Sequence, residues 1–326
     1  MSLDRVLTEY RERGLLCHYA IRVGCGDRVL LERFFEADES NRFDMASVTK
    51  IMATTPPALM ALEQGKISLD DPVSRFFPCP TEKQGLTVRH LLTHTMGYGH
   101  KSICAEGITR ENVWQEILRI PSDVPIGTEV RYSCPGFILL GRILEEVYGM
   151  RLDEIFKRYV AEPLGLKSSG FLPQGEGIVP SNKTPEEYGK VNDYNCRFLG
   201  GIAGNAGLFS DLRDVTRYTE MLLAKGAPLV SEETFALAVQ NHTAGLPGDG
   251  RGLGFLYVDG QYSQTGALFA PGAIGHCGHT GQSVFADLRT GLYAILLTDA
   301  TLHSAKYDEV KEMRAAIHNA IKEELK

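Results

Sequence analysis

The sequence predicts an α/β protein of the α+β type, in which an antiparallel sheet is covered by helices and faces a mostly helical lobe. Three observations predict it. Strand-like alternation is confined to residues 15–35 and to three segments between 252 and 300, whereas helical periodicity dominates 87–166. The tail from 306 to 326 is an amphipathic helical pattern. Two strand groups so far apart in sequence pair most simply in one sheet, with the helices segregated. The order implies one domain over 1–326 in two lobes, a sheet lobe from 1–50 and 206–326 and a helical lobe from 51–205. A pocket is expected at their junction.

Each element has its own signal. Residues 15–35 alternate around "GCGD", which reads as a β-hairpin. A helix is expected after Ser47, kinked or split at Pro56 and Pro57 and stopped at Gly65. "TVRHLLTH", "TRENVWQEILR", "GFILLGRILEEVYG" and "RLDEIFKRYVAEPLGL" follow as helices, the third apolar on nearly every side and so expected to be central. Residues 167–210 are rich in Gly, Pro, Asn and Ser, and a loop of that length in a compact domain is usually functional. "RDVTRYTEMLLAKG" is helical again. "GLGFLYVDG", "AIGHCGHTGQSVFAD" and "GLYAILLTDA" read as strands joined by glycine-rich turns.

Composition narrows the classes of function. A net charge of -7, with both signs scattered, disfavours nucleic acid as a partner. No segment approaches the roughly 20 apolar residues of a membrane span. The seven cysteines form no CxxC pair and suit neither a zinc site nor a disulfide framework, so reduced thiols in a cytoplasmic setting are expected. "MSLDRVLTEYRERGLL" lacks the apolar run of a secretion leader.

The chemistry begins in "MASVTKIMATTPPALMALEQG", where Ser47 precedes Lys50 by three residues at the threshold of an apolar run. On a helix, residues so spaced share a face. At a helix start the serine sits beside unpaired backbone N–H groups and the positive dipole end. Burial in that field lowers a lysine's proton affinity, and a neutral lysine accepts a serine proton.

Two further pieces lie downstream, Tyr132 and Cys134 in "GTEVRYSCPGF", and His279, Thr280 and Gly281 in "GHTGQ", expected in a strand. In this order the set resembles the serine β-lactamase and penicillin-binding protein superfamily, in particular class C β-lactamases, D-alanyl carboxypeptidases and related esterases. The resemblance covers nearly the whole chain and implies a β-lactamase-like fold, with the active site between the lobes. It implies Ser47 as acylated nucleophile, Lys50 as base and Tyr132 as proton shuttle. Cys134, His279, Thr280 and Gly281 would line the cleft, and the backbone N–H groups of Ser47 and Gln282 would form the oxyanion hole. No metal or organic cofactor is implied. The expected substrate is a small ester, amide or peptide, hydrolysed through an acyl-enzyme. The alternatives are a β-lactamase or D-alanyl-D-alanine carboxypeptidase proper, an acyltransferase, or a non-catalytic relative that binds acyl or peptidoglycan fragments.

The chain departs from the family pattern at Cys134, where asparagine is usual, and at His279, where β-lactamases carry lysine. A thiol is a poorer hydrogen-bond partner than an amide, which favours esters over β-lactams. Other candidates read as structural. His90 and His94 lack the glutamate of a zinc-binding helix, and strand alternation sends His276 to the face opposite Cys277 and His279.

Overall fold

The computed structural model describes residues 2–260, 263–303 and 306–326, without the side chain of Ser263. Helix α1 (Leu3–Glu12) leads into strands β1 (Tyr19–Cys25) and β2 (Arg28–Phe35), the expected hairpin, and a short β3 (Phe43–Asp44). Helices α2 (Thr55–Glu63), α3 (Val88–Leu92), α4 (Val113–Arg119), α5 (Cys134–Tyr148), α6 (Leu152–Phe156) and α7 (Glu162–Leu164) make up the helical part. Then come β4 (Gly170–Phe171), α8 (Tyr194–Phe198), β5 (Leu208–Ser210), α9 (Leu212–Leu223) and α10 (Glu232–Ala238). Strands β6 (Leu256–Tyr257), β7 (Ile274–Cys277), β8 (Ser283–Ala286) and β9 (Leu292–Thr298) precede α11 (Tyr307–Glu324).

The main sheet has the order β2-β1-β9-β8-β7-β6 with every neighbour antiparallel, so the two strand groups do join. The seam is β1 against β9, from Tyr19 opposite Thr298 to Cys25 opposite Leu292. Alternation along both strands serves two cores. Ile21, Val23, Ala294 and Leu296 pack with Leu3, Leu7, Ile317 and Ile321 of α1 and α11. Ala20, Ile295 and Leu297 join the core that contains the helical part. A sheet covered on both faces explains why these strands are apolar almost throughout. No helix among the described residues is long and apolar enough to cross a membrane.

The segment after Ser47 is less regular than the sequence suggests. Ala46–Val48 is a 3₁₀ turn, Lys50–Thr54 a π-helical turn, and regular α2 begins only at Thr55. Pro56 and Pro57 therefore occupy the first turn of α2, where a missing N–H costs nothing, instead of kinking its middle. Their effect falls upstream. Thr55 N–H bonds the carbonyl of Lys50, and the next carbonyl, Ile51, would need the N–H that Pro56 lacks. The Tyr218 hydroxyl supplies that hydrogen bond at 2.6 Å.

Central α5 is buried along most of its length, as its sequence predicts. The glycine-rich loop before β5 lies directly on it. A Cβ on Gly204 would fall 2.0 Å from the Phe137 carbonyl oxygen and 3.1 Å from the Cα of Gly141. The three-stranded sheet β3-β5-β4 and helix α10 have no counterpart in the sequence reading, and strands of two or three residues carry too little periodicity to be read. Gly204→Ala is expected to destabilise the fold by about 1–3 kcal/mol, the usual cost of overpacking a fixed backbone contact. Urea unfolding checks this, and an unchanged midpoint would contradict the close approach.

Candidate active site

Three constraints fix Ser47. Ala46, just before it, has φ of +43°, strained for a residue with a side chain. Its N–H donates to Asp44 Oδ1 at 2.8 Å. Gly278 lies alongside, with its missing Cβ 2.9 Å from the Met45 carbonyl and 3.2 Å from Ala46 Cβ. A side chain at 278 would push β7 away from the serine.

Lys50 is fully buried in the π turn. Its Nζ lies 3.0 Å from Ser47 Oγ, donates to the Asn205 carbonyl at 2.9 Å and approaches Cys134 Sγ at 3.6 Å. One turn on, Thr54 donates to the Gly204 carbonyl at 2.8 Å, so the loop that packs on α5 holds the turn at two points. Tyr132 completes the set, its hydroxyl donating to Ser47 Oγ at 2.7 Å. His94 secures the tyrosine's backbone from both sides. Its carbonyl accepts from Arg131 N–H at 2.8 Å, and its Nδ1 accepts from Ser133 N–H at 3.1 Å. His90 closes the α3 cap with Thr87, 3.0 Å away. Both histidines thus have structural partners.

These groups border a cavity of about 640 Å³, whose wall includes Ser47, Tyr132, Cys134, His100, Arg251 and His279. Burial holds Lys50 below the ordinary lysine range, although Cys134 and Asp193 favour its charged form. Burial raises the Tyr132 phenol well above its usual value, with the neighbouring Cys134 adding to the effect. Burial pushes the Cys134 thiol up as well, but Lys50 and His100 more than offset this and draw it down. His94 and His276 are held neutral by burial, reinforced by the charges of Arg251 and Lys50.

Ser47, Lys50, Tyr132 and Cys134 are brought together. The third segment behaves differently. Strand β7 ends at Cys277, and residues 278–282 form the turn into β8. The chain bends there, so strict alternation fails and both His276 and His279 reach the cavity wall. Thr280, Gly281 and Gln282 lie behind it. Thr280 donates to the Asp44 carbonyl at 2.9 Å, Gln282 Nε2 donates to the Thr298 carbonyl at 2.8 Å, and Gly281 packs against Thr298. Gln282 is not among the residues of the cavity wall, whereas Gly278 and His279 are, and Gly278 lies against Met45 and Ala46 beside the serine. Sequence reasoning also missed His100, Asp193, Asn205, Arg251 and Arg314. Each is isolated in sequence and approaches the site only through long-range packing, so no spacing signal existed.

A chain with this fold and this grouping of side chains can be set beside known proteins. The Beta-lactamase family model matches residues 3–319, so the chain belongs to the beta-lactamase family. A protein of Escherichia coli strain K12 named "Putative D-alanyl-D-alanine carboxypeptidase" is 28% identical over 87% of this chain and 74% of its own length. EstCE1, described as a hydrolase with promiscuous acyltransferase activity, superposes with a TM-score of 0.78 at 23% identity over 97% of both chains. Simvastatin synthase from Aspergillus terreus superposes with a TM-score of 0.74 at 17% identity, over 99% of this chain and 97% of its own. At such identities the structural likeness speaks for the fold.

Asp44 ties the serine turn to the cavity wall, since its Oδ2 also accepts from Asn192 N–H at 2.6 Å. Complete burial, opposed by these hydrogen bonds, raises its pKa to about 6. The folded protein then holds this proton more tightly than the unfolded chain does. Ionising Asp44 costs stability as pH rises from about 4 to about 6, on the order of 3 kcal/mol. Across that window the unfolding free energy of the wild type is expected to fall more steeply than that of Asp44→Asn, which has nothing to ionise there. Parallel curves would refute the assignment.

Proposed function

We propose that the protein is a serine acyl hydrolase that acts through an acyl-enzyme on a small carboxylic ester or a D-amino-acid amide or peptide. The observation that carries this reading is Ser47 Oγ held between Tyr132 OH at 2.7 Å and Lys50 Nζ at 3.0 Å on the wall of a substrate-sized cavity. With the amine neutral, its two N–H groups face Asn205 O and Cys134 Sγ, and its lone pair faces the serine hydroxyl.

In acylation, Ser47 Oγ bonds to the substrate carbonyl carbon and its proton passes to Lys50. The oxyanion faces the backbone N–H groups of Ser47 and His279. As the carbon–leaving-group bond breaks, Tyr132 protonates the departing oxygen or nitrogen and recovers a proton from Lys50. Water then attacks the acyl-serine ester, and the same groups return the proton to Ser47. Every step uses the chain's own residues and water.

The carboxypeptidase relative supports a peptide substrate, while EstCE1 supports an ester and raises acyl transfer to a small alcohol in place of water. Cys134 tips the reading toward esters, since its thiol offers an amide side chain only a weak partner.

A fluorophosphonate is expected to add once, on Ser47, as read by intact and peptide mass. Ser47→Ala should abolish both the adduct and p-nitrophenyl ester hydrolysis, and an adduct on Cys134 instead would overturn the serine mechanism. Lys50→Ala combined with Tyr132→Phe should cost little more kcat than the worse single change, because cooperating groups are not additive. Strictly multiplicative losses would refute a shared proton path. Cys134→Asn should raise kcat/KM for a chromogenic cephalosporin relative to the ester by about fivefold, the worth of roughly 1 kcal/mol of hydrogen bonding. A flat ratio in a folded variant removes the basis for preferring esters.

A further inference from the structure

Arg251 is 2% exposed, yet its Nε and Nη1 meet no hydrogen-bond partner. Its Nη2 reaches Asp249 Oδ2 at 3.2 Å, but that carboxylate side chain is 51% exposed and its charge is screened by water. A buried cation so weakly compensated calls for an explanation. The guanidinium carbon lies 5.6 Å from the centroid of the Tyr132 ring, and Lys50 Nζ lies 4.9 Å from the same centroid. The guanidinium and the amine thus both lie against one phenol. The guanidinium cannot release its proton, whereas the amine can.

We propose that Arg251 is a positioning charge of the catalytic centre, whose fixed guanidinium beside Tyr132 adds to burial in keeping the Lys50 amine unprotonated and able to accept the Ser47 proton. This rests on the reading of Ser47 as nucleophile and Lys50 as its proton acceptor. The other groups facing Lys50 divide clearly. Asp193 before α8 and Cys134 at the start of α5 favour the ammonium form. His94 after α3 and His276 on β7 are neutral through burial, and the buried Cys196 thiol is raised well above its usual value. His100 on the cavity wall is raised by its hydrogen bond to Cys134. Tyr132 itself stays protonated. Arg251 is therefore the permanent positive charge of the set, and it opposes Asp193 and Cys134 directly.

The test follows the rate of Ser47 phosphonylation by a fluorophosphonate, and of p-nitrophenyl ester hydrolysis, from pH 5 to 10. Wild type is compared with Arg251→Met, Arg251→Gln and Arg251→Lys, each checked for its unfolding midpoint. In the two uncharged variants the acid limb is expected to move up by about one pH unit. Rates near pH 6 then fall roughly tenfold, while those on the alkaline plateau converge with the wild type. Arg251→Lys should return the limb toward its original position. A purely structural role would lower the plateau and leave the limb in place. If label appears on Ser47 and the limb of the folded uncharged variants does not move, this inference alone is overturned. If the wild type takes no label on Ser47, the nucleophile assignment falls and this inference falls with it.

Discussion

A lysine with no contact with water has to be neutral, or surrounded by acceptors, for the fold to tolerate it. Lys50 meets this demand by drawing on three separate parts of the chain. Ser47 is its neighbour in sequence, Cys134 opens the central helix, and Asn205 belongs to the glycine-rich loop before β5. Those parts must come together to within a few tenths of an ångström. Much of the architecture serves this end: Gly204 and Gly141 let the loop touch α5, the π turn sets the direction of the side chain, and Tyr218 caps the carbonyl that Pro56 leaves open.

The opposite wall of the cavity is held by a different device. Arg314 on α11 is fully buried and donates to the Gly281 carbonyl at 3.2 Å, to the Gly278 carbonyl and to Gln264 Oε1. Thr280 and Gln282 anchor the same turn to Asp44 and to the end of β9. The β7–β8 turn is therefore held by several hydrogen bonds, while Gly278 and His279 belong to the cavity wall that Ser47 shares. A rigid wall of this kind suits a site in which donors must be in place before charge develops.

The site's electrostatics follow from the burial of its side chains. The histidines there are pressed into neutrality chiefly by burial, with the positive charge of Arg251 acting in the same direction. Asp193 supplies opposing charge while also capping α8 and accepting from Asn205 Nδ2 at 3.0 Å. The segment that carries Lys50's acceptor thus also carries a counter-charge, which couples the geometry of the loop to the proton affinity of the amine.

The sequence by itself determined the elements whose signals are local. Alternation located the hairpin and β9, apolar content marked α5 as central, and spacing put Ser47 beside Lys50, with Tyr132 and Cys134 flagged by their motif. The third segment shows the limit. "GHCGHTGQ" offers two histidines in a short glycine-rich run, and strand alternation assigned them to opposite faces. The strand stops at Cys277 and the turn swings His279 back to the cavity, while Gln282 is carried behind the wall. Where a strand ends is decided by its pairing with β8 and by the grip of Arg314, and both are contacts between residues distant in sequence. Arg251, Asn205, Asp193 and His100 were invisible for the same reason. Periodicity and spacing report what a segment does on its own, whereas burial, unmet hydrogen bonds and opposing charges arise only when distant segments enclose one another.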